Sequence, residues 1–426
     1  MTSRHATGLL KRLRQQLSAG LVTGAADDDP SGIATYSQVG AQFGYATVWS
    51  LALALPLMVA IQGISAFIAR VTGRGLGSVM REHYPHAIVL PLIGMVAIAN
   101  IINLGADIAA MGDALRLVVG GPAPVYAALF GLGSLVLQMV VPFSRYAPFL
   151  KIMTLSLFAY VITVFVVQVP WLQVFRSVVL PAIHWNAAYT VAIVAILGTT
   201  ISPYLFFWQA AQEVEEIRSI EARKALKRAP HQRTQAIERI GVDTTVGMIF
   251  SNIVAAFIII TTAAVLHAHG KTHIASSAQA AEALRPLAGP FAFALFAFGI
   301  IGTGLLALPV LAGSTAYAVC GALGKTYGLG HEPRYAKFFY GVLILATIAA
   351  VLINLLPVDP MKALFWSAVI NGVIAAPVMA MIMLMGTNEH IMGPACMLGG
   401  WMKTFGWLAT VVMAAAAVAM FVTWGH

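Results

Sequence analysis

Residues 23–35 read TGAADDDPSGIAT, and no stretch of the chain is better suited to chemistry. Three consecutive acids and a proline interrupt an apolar run. Proline removes one backbone donor and clashes with the preceding turn, so the helix unwinds and frees carbonyl oxygens. An ionised carboxylate beside freed carbonyls is a hard-oxygen cation site. Asp29, directly before Pro30, is the first-choice ligand. Successive helical residues point about 100° apart, so Asp27, Asp28 and Asp29 do not all face one ion. One of Asp27 and Asp28 is expected to line an inner vestibule, the other to cap or pair locally.

The elements that carry this segment are membrane spans. The chain has 426 residues, 59% hydrophobic and only 10% charged. Mean hydropathy is +0.84. Apolar runs long enough for a hydrocarbon core of ~30 Å recur throughout. We read spans at 17–43, 46–69, 86–117, 122–141, 149–170, 186–210, 242–267, 288–318, 336–356, 361–386 and 404–424. With the N-terminus inside, 20 of the 25 Lys and Arg residues fall on cytoplasmic segments, among them Arg4, Lys11, Arg12, Arg14 and Lys151. The net charge of +9 is therefore a topology signal, and nucleic acid is not an expected partner. The basic N-terminus mimics a signal peptide, but its apolar stretch is broken by DDDP without a cleavage-like site, so it reads as a retained first span. Cys320 and Cys396 imply neither a disulfide framework nor a soft-metal cluster.

A polar segment at 211–240 divides the chain, and reads as a solvated, largely helical connector. Five spans precede it in a first half, 17–170. The second half, 186–386, includes the connector, and the last span, 404–424, stands alone. The first span of the second half carries GTTISPYLFFWQ, where Thr199, Thr200, Ser202 and Pro203 interrupt an apolar run. A break in the corresponding helix of each half signals an inverted-repeat transporter with a midplane site. Irregular backbone at that depth must face a cavity, not lipid.

The sequence resembles the Nramp family of divalent-metal transporters over nearly its whole length. Besides the two breaks, SQVGAQFGYATVW (37–49) and TNEHIMG (387–393) are similar to stretches of that family. The resemblance implies an all-α, LeuT-like fold: ten core helices in two inverted repeats plus an eleventh, with the first and sixth unwound. It also implies a metal site. The family's Asp-Pro-Gly-Asn reads Asp29-Pro30-Ser31-Gly32 here, and its Met-Pro-His reads Ser202-Pro203-Tyr204. The family's aspartate ligand thus falls on Asp29, its asparagine on Gly32, its methionine on Ser202, and its carbonyl ligands on Ala26 and Thr199. Its sixth-helix histidines become Tyr204 and Gln209. In the third helix its aspartate matches Asp107, while two glutamates become Asn100 and Ala110. No arginine lies in the ninth span, where the family places that aspartate's partner.

The soft ligand and most proton-carrying groups are therefore absent. Carboxylate, hydroxyl, carbonyl and water suit magnesium, whereas a thioether favours softer ions. Magnesium also keeps part of its water shell, for which Gly32 and Ser202 are expected to leave room. The pattern is similar to the Nramp-related magnesium transporters. The expected function is import of magnesium, and also manganese, by alternating access with little or no proton coupling. A proton-coupled manganese or iron importer is the alternative. An intramembrane aspartyl protease using Asp29 and Asp107 is a second, but lacks the Gly-x-Gly-Asp signature, LGAD being nearest.

Asp107 reads as a neutral or hydrogen-bonded helix residue beside Asn100 or Asn103, or else as a proton acceptor. Asn371 faces either the cavity or a neighbouring helix. Asp113 and Arg116, three apart, read as a surface ion pair. HAHGKTH (267–273) has metal-like spacing but no carboxylate, and reads as solvated. No cofactor and no obligatory protein partner are expected. The partners are a divalent ion and the bilayer, in the plasma (inner) membrane, with the C-terminus outside.

Overall fold

The computed structural model describes residues 23–24, 26–141, 145, 155–356 and 358–424. The basic residues Arg4, Lys11, Arg12, Arg14 and Lys151, and the expected span starts at 17–22 and 149–154, lie outside them. Within them the chain is helical, with turns and bends between. We label the helices α1 (Pro30–Phe43), α2 (Val48–Thr72), α3 (Leu76–His83), α4 (His86–Val119), α5 (Ala123–Val140), α6 (Phe158–Val166) and α7 (Trp171–Val179). There follow α8 (Ala187–Thr200), α9 (Pro203–Ser219), α10 (Arg233–Val265), α11 (Ala292–Ala322), α12 (Lys337–Ile353), α13 (Pro360–Gly386) and α14 (Gly400–Trp424).

Among the described residues eight helical stretches are long and apolar enough to cross a membrane, one of them joining α1 and α2. α12 is shorter but apolar, and α6 and α7 are an apolar pair bent by 114°. The chain is thus a multi-pass membrane protein. Each expected span has its helix, and large apolar side chains on the outer faces, such as Phe165, Leu129 and Leu345, are exposed where lipid would cover them.

Both expected breaks are present, built on one plan. Thr23, Gly24, Ala26 and Asp27 are helical, the chain bends at Asp28, and Asp29 is extended (φ −68°, ψ 170°) before α1 begins at Pro30. In the second half, α8 ends at Thr200, Ile201 and Ser202 leave helical geometry, and α9 begins at Pro203. Proline suits the first helical position because its missing N–H would be unpaired there. Thr199 and Thr200 interrupt the apolar run without themselves leaving the helix. Their hydroxyls are compatible with helix, and Thr200 bonds back to the Ile196 carbonyl at 2.9 Å.

The connector is largely helical, as expected: α9 runs on to Ser219 and α10 already starts at Arg233. Part of its charge is paired and buried. Glu213 is 1% exposed and pairs with Arg239 at 2.5 Å; Glu216 pairs with Arg223 and with Arg239. Leu226 N–H donates to the Arg70 carbonyl, and Arg70 donates to the Gln232 side chain, so the turn is stapled to the end of α2. Two short amphipathic helices, α3 and α7, had no counterpart among the expected spans.

Helices around the breaks approach at backbone distance. A Cβ at Gly198 of α8 would lie 2.1 Å from the Ala368 carbonyl oxygen of α13. One at Gly24 would lie 2.3 Å from the Gly247 oxygen of α10. Such contacts, available only to glycine, hold the half-helices against their neighbours without side chains between them. α1 packs on α10, α13 and α8. Cys320 and Cys396 are both free and buried.

Candidate metal site at the two helix breaks

Asp29 caps α1. Its Oδ1 accepts the Gly32 N–H at 2.8 Å, which satisfies one of the unpaired donors of the first turn. Its Oδ2 accepts two more bonds, from the Asn103 amide of α4 at 3.0 Å and from the Tyr204 hydroxyl of α9 at 3.2 Å. Tyr204 also lies 3.0 Å from the Ala26 carbonyl oxygen. With one proton, its hydroxyl serves either the carbonyl or the carboxylate at a given moment. One phenol therefore bridges the two breaks.

Ser202 behaves differently from Asp29 at the equivalent cap. It makes no forward capping bond; its hydroxyl turns back to the Gly198 and Thr199 carbonyls at 2.7 and 2.9 Å. The carbonyls of Ala26 and Thr199, freed by the breaks, thus have hydroxyl partners in Tyr204 and Ser202. Gly32 faces the second break: a Cβ there would lie 3.1 Å from Thr199 Oγ1 and 3.3 Å from the Asp27 carbonyl oxygen. The space expected beside Gly32 is narrow, because α8 closes directly over it. Ala26, Asp29, Thr199, Ser202 and Tyr204 are no more than 3% exposed. The breaks are shut from both sides.

Asp27 and Asp28 turn to α10, where Ser251 donates to Asp27, and lies 3.3 Å from Asp28. Neither lines an open vestibule; both are buried, at 0% and 1% exposed. Asp29 points the other way, toward α4. The angular separation of neighbouring residues therefore splits the triplet between two helices. Among the described residues no group of three or more His, Cys, Asp or Glu could hold a metal ion. A cation here would meet one carboxylate and neutral oxygens.

Asn103 was not among the candidate ligands, yet it contacts Asp29 directly. Its Oδ1 accepts the Ser367 hydroxyl of α13 at 2.7 Å. Only the general rule that polar residues in spans find one another could have flagged the pair. Asn100 donates instead to Ser314 and Thr315 of α11 at 3.0 and 3.1 Å. The expected hydrogen bond of Asp107 to Asn100 or Asn103 is thus absent, because both amides are engaged elsewhere. Both Asp107 carboxylate oxygens are buried without a hydrogen-bond partner, facing Asp29 and the Ser31 amide. Gln209 lies further along α9 and donates to Thr244 of α10 at 2.7 Å, away from Asp29. Asn371 is buried in α13 with its Oδ1 unpartnered.

The remaining motifs settle simply. Asp113 and Arg116 pair at 2.5 Å, on the wall of a cavity of about 470 Å³ between α4, α5, α12 and α13. His267 and His269 each hydrogen-bond a backbone carbonyl, those of Ala41 and Val265, both at 2.8 Å.

Comparison with known proteins places this geometry. A sequence model described as natural resistance-associated macrophage protein-like (Nramp) matches residues 20–423. The divalent metal cation transporter MntH of Acidiphilium cryptum is 24% identical over 84% of this chain and 86% of its own. The MntH of Klebsiella pneumoniae is 26% identical over 90% and 88%. Among solved structures, the manganese transporter of Eremococcus coleocola aligns with a TM-score of 0.74 at 16% identity, covering 97% of this chain and 88% of that one. MhsT in complex with L-phenylalanine aligns at 0.59 and 11% identity, covering 95% and 98%. These likenesses show the fold: a LeuT-like arrangement of two inverted five-helix repeats and an eleventh helix.

Proposed function

The chain belongs to the Nramp family, and on that premise we propose that it carries divalent metal cations across the membrane by alternating access. The cargo is a small, hard ion, magnesium and also manganese, moving inward without obligatory proton coupling. The observation that carries the reading is the oxygen-only donor set where the two broken helices meet. Asp29 is the one charged ligand. The carbonyls of Ala26 and Thr199, the hydroxyl of Ser202, and water entering when α8 moves off Gly32 complete the shell.

Those oxygens suit a hard ion, since neither a thioether nor an imidazole stands among them. Their present hydroxyl partners are replaceable. When Tyr204 and Ser202 turn away from Ala26 and Thr199, carbonyl lone pairs open toward the cation without moving backbone. Asp28, Tyr204, Gln209, Asp107 and Asn371 serve as pathway or supporting groups in this reading. The N-terminus lies in the cytoplasm and the C-terminus outside, in the plasma membrane, as the basic residues require.

A second reading is favoured by the proteins named as manganese or MntH transporters and by one local observation. The unpartnered, buried carboxyl of Asp107 beside Asp29 offers a stop for a proton. In that reading, manganese enters together with protons. Purified protein in liposomes, loaded with a magnesium-sensitive dye or a pH-sensitive dye, separates the two. Magnesium uptake with no internal acidification supports the first. Manganese uptake with matching acidification, and no magnesium uptake, supports the second.

A further inference from the structure

The hydrogen bonds around Asp29 limit how a cation can use it. A carboxylate offers about four lone-pair positions, two on each oxygen. Oδ2 has both of its positions taken, by Asn103 and Tyr204, and Oδ1 has one taken by the Gly32 N–H. While Tyr204 donates to Oδ2, the free position lies on Oδ1 alone. The two occupants of Oδ2 differ in permanence. Tyr204 has a second acceptor in the Ala26 carbonyl. Asn103 has no such freedom, because Ser367 donates to its Oδ1 and so fixes the amide with its NH₂ toward Asp29. Ser367 is itself held on α13, 2.7 Å from the Leu364 carbonyl. Asn103 and Ser367 are both buried, at 0% and 1% exposed. The orientation of the amide follows from this network, since a carboxylate facing Asn103 can only accept.

We propose that Asn103, locked by Ser367, is a specificity-determining residue that, together with Tyr204, leaves Asp29 only Oδ1 for a cation. It thereby favours a small cation that retains water over a larger one that chelates. The chemistry is general: magnesium is octahedral and is held by one or two carboxylates while keeping several waters, whereas calcium readily takes a carboxylate through both oxygens. Losing a hydrogen-bond donor to a metal ligand commonly changes metal affinity by about 10–100-fold. The proposal rests on Asp29 being a ligand, as argued above.

The test is competition between calcium and magnesium uptake in proteoliposomes. It compares wild type with Asn103→Leu, which removes the donor at similar bulk, and with Ser367→Ala, which unlocks the amide. The ratio of calcium to magnesium uptake efficiency should rise about tenfold in Asn103→Leu and less, in the same direction, in Ser367→Ala. A purely structural role would lower both ions in proportion and leave the ratio at its wild-type value, and that result overturns the proposal. If Asn103→Leu fails to give a monodisperse protein, Ser367→Ala decides: a raised ratio sustains the proposal and an unchanged one overturns it. Asp29→Ala, run alongside, separates the two failures. If it abolishes uptake while the ratio stays fixed in the other variants, only the role of Asn103 falls. If it transports normally, the ligand reading itself falls.

Discussion

Gly198→Ala places one methyl group where α8 meets α13, one residue before Thr199. The Cβ would sit 2.1 Å from the Ala368 carbonyl oxygen and 2.4 Å from the Gly372 nitrogen. Ordinary contact begins at 3.4 Å, so the two backbones must part by about 1.3 Å (3.4 minus 2.1). No flexible side chain can yield, because both contacts are main chain. Overpacking of this kind costs about 1–3 kcal/mol, and backbone contacts on both sides put this case near the upper figure. The displacement also reaches the site, since Thr199 moves with Gly198 and the hydroxyl of Ser202 is bonded to both of their carbonyls. Disturbing groups that orient a metal site costs about 10–100-fold in affinity, so the KM for magnesium or manganese should rise by at least about tenfold. Thermal unfolding in detergent and concentration-dependent uptake in proteoliposomes measure the two effects. Gly133→Ala is the control: a Cβ there meets nothing within 4 Å, and a glycine-to-alanine change in a helix costs nothing or stabilises by up to ~1 kcal/mol. If Gly198→Ala unfolded at the wild-type temperature and kept the wild-type KM, the contact would not position the second break.

Three other outcomes follow from the same geometry. Restoring both altered positions, in Gly32→Asn with Ser202→Met, should shift competition uptake from magnesium toward cadmium or manganese, because sulfur and bulk replace water and hydroxyl; the 3.1 Å approach of a Gly32 Cβ to Thr199 also lowers the overall rate. An unchanged magnesium preference would remove Gly32 and Ser202 from the site. Asp107→Asn should leave magnesium uptake largely intact and produce no change in a pH dye inside the vesicles; a dead variant would make Asp107 a proton carrier. Glu213→Gln should destabilise the protein by about 3 kcal/mol, the lower end for breaking a buried ion pair, because Arg239 keeps Glu216 at 3.2 Å; an unchanged unfolding temperature would show the pair to be incidental.

Much of the architecture was legible because its signals are local. Hydropathy marks a span within its own residues, and Pro30 and Pro203 mark the breaks through steric effects on the preceding turn. Asp29 could be singled out for the same reason, by its place directly before a proline. What escaped the sequence was set by partners distant along the chain. Asn103 meets Asp29 across 74 positions, and Ser251 meets Asp27 across 224. Nothing in either neighbourhood announces the contact. Within 211–240 one feature escaped for a related reason: Glu213 and Arg239 resemble solvated charges until they are brought together and buried. Asp107 was given an amide partner by proximity in sequence, but Asn100 and Asn103 were drawn to α11 and Asp29 instead.

The most direct test of the central claim is uptake of magnesium and of manganese into liposomes containing only this protein, compared with Asp29→Ala. The site reading predicts saturable uptake by the wild type and none above protein-free liposomes for the variant, since losing the only charged ligand leaves neutral oxygens that cannot offset dehydration of a divalent ion. The variant must remain monodisperse: it loses the capping bond, worth about 0.5–2 kcal/mol, and the acceptor of the Asn103 amide, while Tyr204 keeps the Ala26 carbonyl. Wild-type uptake by a folded Asp29→Ala protein would contradict the assignment of the metal site to the two helix breaks.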